Sequence, residues 1–203
     1  AEGPLDGRVD VAIVGAGFTG LSTALELAKR KANVVVVDAG RVAGEGSGRN
    51  GGHVNNGVAH DYGGLVKRFG EATARAMYRD FDAAVDSVEA LVRVEAIDCD
   101  FVRSGKLKLA AKPEHWPMLA KTYETLRDVD GAMELIEPAR LREEIGSTSF
   151  HGALLQKKSA SMHMGRFAKG LADAVVRRGG RIYESAGVTR LERLAGRAHR
   201  ITT

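Results

Sequence analysis

The feature that most limits what this chain can fold into is Gly15-Ala16-Gly17-Phe18-Thr19-Gly20. It stands between a short β-branched run, Val9–Val14, and residues 21–31, where Leu21, Ala24, Leu25 and Ala28 recur at helical spacing. A buried strand that ends on a glycine turn and opens into an amphipathic helix begins a βαβ unit. Val34–Val37 supplies the second strand, with Asp38 at its carboxyl end, and the crossover is expected to be right-handed. In such a turn the first glycine permits the tight bend. The second lets a pyrophosphate approach the backbone, and the third lets helix and strand pack closely. The helix N-terminus offers free N–H groups and partial positive charge to the phosphates. Asp38 lies where an acid can accept hydrogen bonds from a ribose. Dinucleotide binding follows, with NAD and FAD both open on these residues alone.

Beyond the unit, residues 40–64 are glycine-rich and polar without a period, and a stretch of that length inside a compact domain is usually functional. Met77, Phe81, Ala84, Val85, Val88, Leu91 and Val92 keep helical spacing, which predicts one long helix or two abutting ones over about 70–97. Strands are expected over 101–111, near 134–136 and over 150–156. Helices are expected from Pro113 to about Arg127 and from Pro138. A helix over 165–178 and a strand at 181–184 repeat the opening pattern and predict a third parallel strand. Residues 188–194 and 198–203 read as two strands joined by a turn at Gly196. The resulting class is α/β, with a first domain over 1–100 and 160–203 interrupted by an α+β portion over 101–159.

Bulk composition excludes more than it proposes. Glycine is the outlier, at 25 of 203 residues against a usual level of about 7%, but it clusters at 15–20 and 44–57 rather than repeating. Cys99 is the single cysteine, so no internal disulfide forms, and a reducing, cytoplasmic setting is the expectation. The apolar runs are far shorter than the roughly 20 residues of a membrane span, and the N-terminus lacks the pattern of a secretory signal. A net charge of +4 is small, and the late arginines (177, 178, 181, 190, 193, 197 and 200) alternate with apolar residues, so nucleic acid is not expected as a partner. Scattered His and Asp residues show no ligand spacing, so no metal is proposed.

Gly46-Ser47-Gly48-Arg49-Asn50-Gly51-Gly52-His53 discriminates between cofactors, since its backbone and side chains can run along an extended ligand. Together with Asp10–Ser22 it resembles the FAD-dependent amine and amino-acid oxidoreductases of the D-amino-acid oxidase superfamily, and within them the gamma-glutamylputrescine oxidases. Ile97-Asp-Cys-Asp-Phe, Gly105-Lys-Leu-Lys-Leu-Ala, and the run from His163 through Gly179-Gly-Arg-Ile-Tyr-Glu fit in the same order. The resemblance implies a Rossmann-like FAD-binding domain with an inserted substrate-domain portion. Gly15, Gly17 and Gly20, with Phe18 and Thr19 between them, would hold the pyrophosphate. Asp38 would hold the adenosine ribose, with Ala39 and Arg41 beside it. Ser47, Arg49, Asn50, Gly51, Gly52 and His53 would line the ribityl–flavin region, and the Val188 backbone would meet the adenine edge.

The implied reaction passes a hydride from an amine or amino-acid substrate to FAD and gives an imine; oxygen or another acceptor then reoxidises the flavin. Residues around His53 do not match relatives that attach the flavin covalently, so non-covalent binding is expected. Family members are much longer, and their later half completes the FAD domain and most of the substrate site. No catalytic residue is therefore assigned. The alternatives are a non-catalytic cofactor-binding fragment or split subunit that needs a second chain, and an NAD-dependent dehydrogenase. His163 reads as a structural group at a helix start, and the acidic neighbours of Cys99 argue against an activated thiol. His60-Asp61-Tyr62 could reach the site or end the loop.

Overall fold

The computed structural model describes residues 5–57, 61–196 and 198–203. In chain order the first elements are β1 (Val11–Val14), α1 (Phe18–Lys29), β2 (Val34–Val37), β3 (His53–Val54), α2 (Tyr62–Phe69) and α3 (Glu71–Val94). There follow β4 (Lys106–Leu109), α4 (His115–Leu126), β5 (Met133–Ile136), a 3₁₀ helix (Pro138–Glu143), β6 (Ala153–Gln156) and β7 (Ala160–Ser161). The chain continues through α5 (Met164–Arg177), β8 (Arg181–Tyr183), β9 (Arg190–Arg193) and β10 (His199–Thr202). Among the described residues no helix is long and apolar enough to cross a membrane.

The chain divides into two compact units. One combines the residues up to Gly52 with Leu91–Cys99 and His163–Thr203; the other combines His53–Ala90 with Asp100–Met162. In the first unit β1, β2 and β8 form a parallel sheet in that order, so residues 181–183 do supply the third parallel strand. All four valines of β2 are buried, as the middle strand of a parallel sheet requires. Each contributes about 1.5–3 kcal/mol relative to exposure. The predicted apolar stripe of α1 (Leu21, Ala24, Leu25, Ala28) is its buried face. α1 packs on α5, which buries Phe167, Leu171 and Val175, and the Phe18 and Phe167 rings meet edge to face at 5.4 Å.

Three helix ends in this unit converge on one carboxylate. Glu95, just past α3, is buried; Arg178 Nη2 donates to its Oε1 at 3.1 Å, and Lys29 Nζ lies 3.5 Å away. Arg177 donates to its backbone carbonyl at 2.7 Å. The three cations belong to the C-termini of α1 and α5, where positive charge also complements the helix dipole.

In the second unit β4, β6 and β5 form an antiparallel sheet, and β3 pairs with β7. Tyr62, Leu65, Tyr78, Leu119 and Leu126 pack on the sheet face that carries Met133 and Leu154, while Ile136, Leu141 and Ala153 form a smaller cluster.

Several expectations change in detail. The glycine-rich 40–64 stretch contains β3 and the start of α2, which is capped by Asp61 and anchored by buried Tyr62 and Leu65. Gly70, at φ +82°, separates α2 from α3. The segment opened by Pro138 is a 3₁₀ helix of six residues rather than an α-helix. The 101–111 strand contracts to β4 plus a bridge from Val102 to Ser161. Residues 53–90, read from sequence as part of the first domain, pack with the inserted portion. The reason is that Asn56 is bonded to Asp130 and Ser159 of that portion.

Candidate cofactor site

The glycine turn has the geometry its spacing demands. Gly15 closes β1 at φ +103°, a conformation L side chains rarely adopt, and its N–H donates to the Val37 carbonyl. A Cβ on Gly20 would lie 1.9 Å from the Gly15 carbonyl oxygen, so α1 reaches its distance from β1 only because that position lacks a side chain. α1 starts at Phe18 with Gly17 as its N-cap, and no acid stands in its first turn. The dipole at this end therefore complements an anionic group.

Asp38 ties this turn to the end of β2. Its Oδ2 accepts the Ala16 N–H at 2.7 Å and its Oδ1 accepts the Gly40 N–H at 2.8 Å. Residues 185–187 run beside residues 38–40: Ser185 and Ala186 donate to the carbonyls of Gly40 and Asp38, and a Cβ on Gly187 would touch Ala39. Val188 follows directly. Ser47 Oγ accepts the Phe18 N–H at 3.1 Å, which brings the second glycine-rich segment to the start of α1. Arg49 Nε donates to the Gly44 carbonyl at 2.5 Å. Asn50 donates to Gly46 and Ser47 and accepts from Gly52, so both side chains hold their own loop. Arg41 instead lines a groove of about 540 Å³ with Val42, Ala168, Ala172, Ile182 and Glu184, where Glu184 accepts the Val42 N–H.

His53 lies in β3 with an exposed side chain and pairs in register with Ser161. His60 lies outside the described residues. Asp61 Oδ1 accepts the Gly64 N–H, and Tyr62 Oη donates to Glu71, so both serve α2. Cys99 is buried. His163 is the N-cap of α5, its Nδ1 accepting the Arg166 N–H at 3.3 Å. Replacing His163 by alanine is expected to cost about 1 kcal/mol and asparagine to restore most of it, read as the shift in denaturation midpoint.

One cluster escaped the sequence reading. Asn56, Asp130 and Ser159 are 2%, 1% and 0% exposed. Asn56 Nδ2 donates to Asp82 Oδ1 and to Asp130 Oδ2, each at 3.0 Å, and Asn56 Oδ1 accepts the Ser159 hydroxyl at 2.8 Å. Lys158 pairs with the other oxygen of Asp82, and the Ala132 N–H caps Asp130. Burial and the nearby Asp130, Asp61 and Asp82 push the Tyr78 phenol up. Burial, helped by Lys108 and opposed by Asp130, lowers the Lys106 ammonium. The signal in the sequence was Asn55-Asn56-Gly57, which looks like any polar turn.

Residues 10–203 match the family model described as DAO, FAD dependent oxidoreductase. The chain belongs to this family. Gamma-glutamylputrescine oxidoreductase from Escherichia coli K12 is 35% identical over 184 residues, which cover 90% of this chain and 43% of the relative. Glycine oxidase from Geobacillus kaustophilus superposes with a TM-score of 0.74 at 23% identity, over 97% of this chain and 51% of the other. L-amino acid deaminase from Proteus vulgaris gives 0.76 at 24%, over 97% and 44%. Those two structures share the fold of this DAO-family chain. The chain spans about half the length, or less, of the proteins it matches.

Proposed function

We propose that this chain forms the FAD-binding portion and the beginning of the substrate domain of an enzyme that oxidises an amine or amino acid to an imine. The observation that carries the reading is the tight Gly15–Gly20 turn, bound to Asp38 on one side and Ser47 on the other, in a chain of an FAD-dependent family. When bound, FAD supplies the acceptor for the substrate hydride.

The residues of this chain bind and orient. The turn and the first N–H groups of α1 hold the pyrophosphate. Asp38, already fixed by two backbone N–H groups, keeps lone pairs for the ribose hydroxyls, with Ala39, Arg41 and Val188 toward the adenine end. The 47–53 segment, braced by Arg49 and Asn50, carries the ribityl–flavin end through Gly51, Gly52 and His53. An amine substrate is supported by the Escherichia coli relative, a gamma-glutamylputrescine oxidoreductase, and an amino acid by the glycine oxidase and L-amino acid deaminase neighbours.

The test uses the complete protein. It is expected to purify yellow and to lose its flavin absorbance when an amine or amino-acid substrate is added without oxygen. A folded complete protein that takes up no FAD, or that prefers NAD, would overturn the reading.

A further inference from the structure

β3 carries His53 on a short ladder, in which His53 stands opposite Ser161 and Val54 opposite Ala160. The strand it pairs with is itself fixed. Ser161 exchanges both backbone hydrogen bonds with Val102, and the Ser159 carbonyl accepts the Gly105 N–H. Ser161 thus aims its backbone groups at Val102, and the ladder's own pair of bonds joins Val54 to Ala160. Ala160 is buried and Val54 half-buried, whereas His53, on the alternate face, is exposed. Gly51, Gly52 and Gly57 flank the strand, and glycine-rich strands specify their register weakly. A slip of one residue would turn His53 to the opposite face.

What resists the slip is Asn56, shortly after His53 on the same run of chain. Its Nδ2 donates to Asp82 of α3 and to Asp130, between α4 and β5. Ser159, which precedes β7, donates its hydroxyl to Asn56 Oδ1 at 2.8 Å, and the Asn56 N–H lies 3.4 Å from the same Oγ. A step of one residue along a strand is about 3.3 Å, so any slip breaks every one of these bonds. A slip in one direction puts Gly57, which has no side chain, in the place of Asn56. A slip in the other puts Asn55 there but carries His53 to the buried side, against Ala160.

We propose that the buried Asn56–Ser159 pair is the register lock of β3 and that it positions His53 for the flavin ring. Both act through the strand, as positioning residues. His53, Asn56 and Ser159 belong to the same compact unit, so the lock needs nothing from the other. The lock follows from the β3–β7 geometry alone; the role of His53 rests on the FAD reading proposed above.

The first measurement is amide hydrogen exchange of Val54 in the protein without FAD. Ser159→Ala removes the Ser159 contacts of Asn56, leaves those to Asp82 and Asp130, and should speed Val54 exchange about tenfold. Ser159→Cys keeps the volume and a weak donor. It should fall between Ser159→Ala and the parent, and it takes the place of Ser159→Ala if that variant does not fold. In the FAD-loaded protein, Ser159→Ala should weaken FAD binding about tenfold and displace the flavin absorption maxima. His53→Ala should do the same, and adding Ser159→Ala to it should change neither readout further. Tyr62→Phe, which removes the bond to Glu71 in the same unit, controls for general loosening and should leave exchange and flavin at parental values. Val54 exchange unaltered by Ser159→Ala overturns the lock. Faster exchange with unaltered flavin overturns the positioning role, as does a flavin effect of Ser159→Ala that is equally large with and without His53. A flavin shift in Tyr62→Phe overturns it too. A parent that takes up no FAD removes the FAD reading and the positioning role with it, whatever the exchange of Val54 shows.

Discussion

Replacing Asn56 by aspartate is expected to destabilise the protein by about 3–5 kcal/mol, a large part of the roughly 5–15 kcal/mol that holds a typical domain folded. The change is nearly isosteric, so packing does not explain the effect. Asn56 Nδ2 donates to both Asp82 and Asp130. The variant removes both donors and places a third carboxylate within hydrogen-bond distance of two others. Asn56→Ala leaves the same two acceptors unpaired, at about 1–3 kcal/mol each, but adds no charge. The pH dependence distinguishes the two. A carboxyl at position 56 has its folded pKa raised by its neighbours above the unfolded value of about 3.9. Its penalty is therefore full above the folded pKa and fades as pH falls toward the unfolded one. Urea denaturation of both variants against the parent, at neutral and mildly acid pH, should show the aspartate deficit shrinking relative to wild type. An aspartate variant as stable as the parent at neutral pH would mean that the cluster does not hold the second unit together.

Gly20→Ala is expected to abolish FAD uptake by the complete protein and to cost about 3 kcal/mol or more of stability. The added methyl would stand 1.9 Å from the Gly15 carbonyl oxygen, with the Ile13 side chain also close. Relief requires α1 to move off β1 or the turn to be rebuilt, and either change displaces the N–H groups meant for the pyrophosphate. Gly46→Ala is the control, because a Cβ there meets nothing within 4 Å. It should bind FAD as the parent does. Flavin-to-protein ratios of the purified variants decide the matter, with thermal melts separating lost binding from lost folding. Retention of stoichiometric flavin by Gly20→Ala would show that the turn tolerates what its geometry forbids.

The glycine turn and its flanks were legible because their signals are local. Leu21, Ala24, Leu25 and Ala28 mark the buried face of α1 by spacing alone, and four consecutive valines name a strand buried on both faces. The third parallel strand was legible because helix-then-strand at 165–184 repeats the opening pattern. α2 was not legible. It contains Gly63 and Gly64, which lower helix propensity by about 1 kcal/mol each, and what holds it is tertiary: Tyr62 and Leu65 in the core and Asp61 as its cap. The Asn56 cluster was hidden for a similar reason. Its members stand 26, 74 and 103 residues from Asn56, and no period connects them. Asn56 therefore looked like one more polar residue in a loop.

The place of β8 in the first sheet also governs how the chain reaches its fold. Val42 and Glu184, which bond where β2 and β8 run on, are 142 residues apart. Ribosomes add roughly 5–20 residues per second, so β2 waits on the order of ten seconds or more for its outer neighbour. Closing so long a loop adds little to the equilibrium cost, about 0.6 kcal/mol for each doubling of length, but the contact is non-local and slow to form. Through that interval the β8-side edge of the valine-rich strand is an unpaired template of the kind that chaperones cover and that aggregates recruit. Yield during synthesis should thus depend on how fast α5 and β8 emerge, even for variants whose finished fold is unchanged.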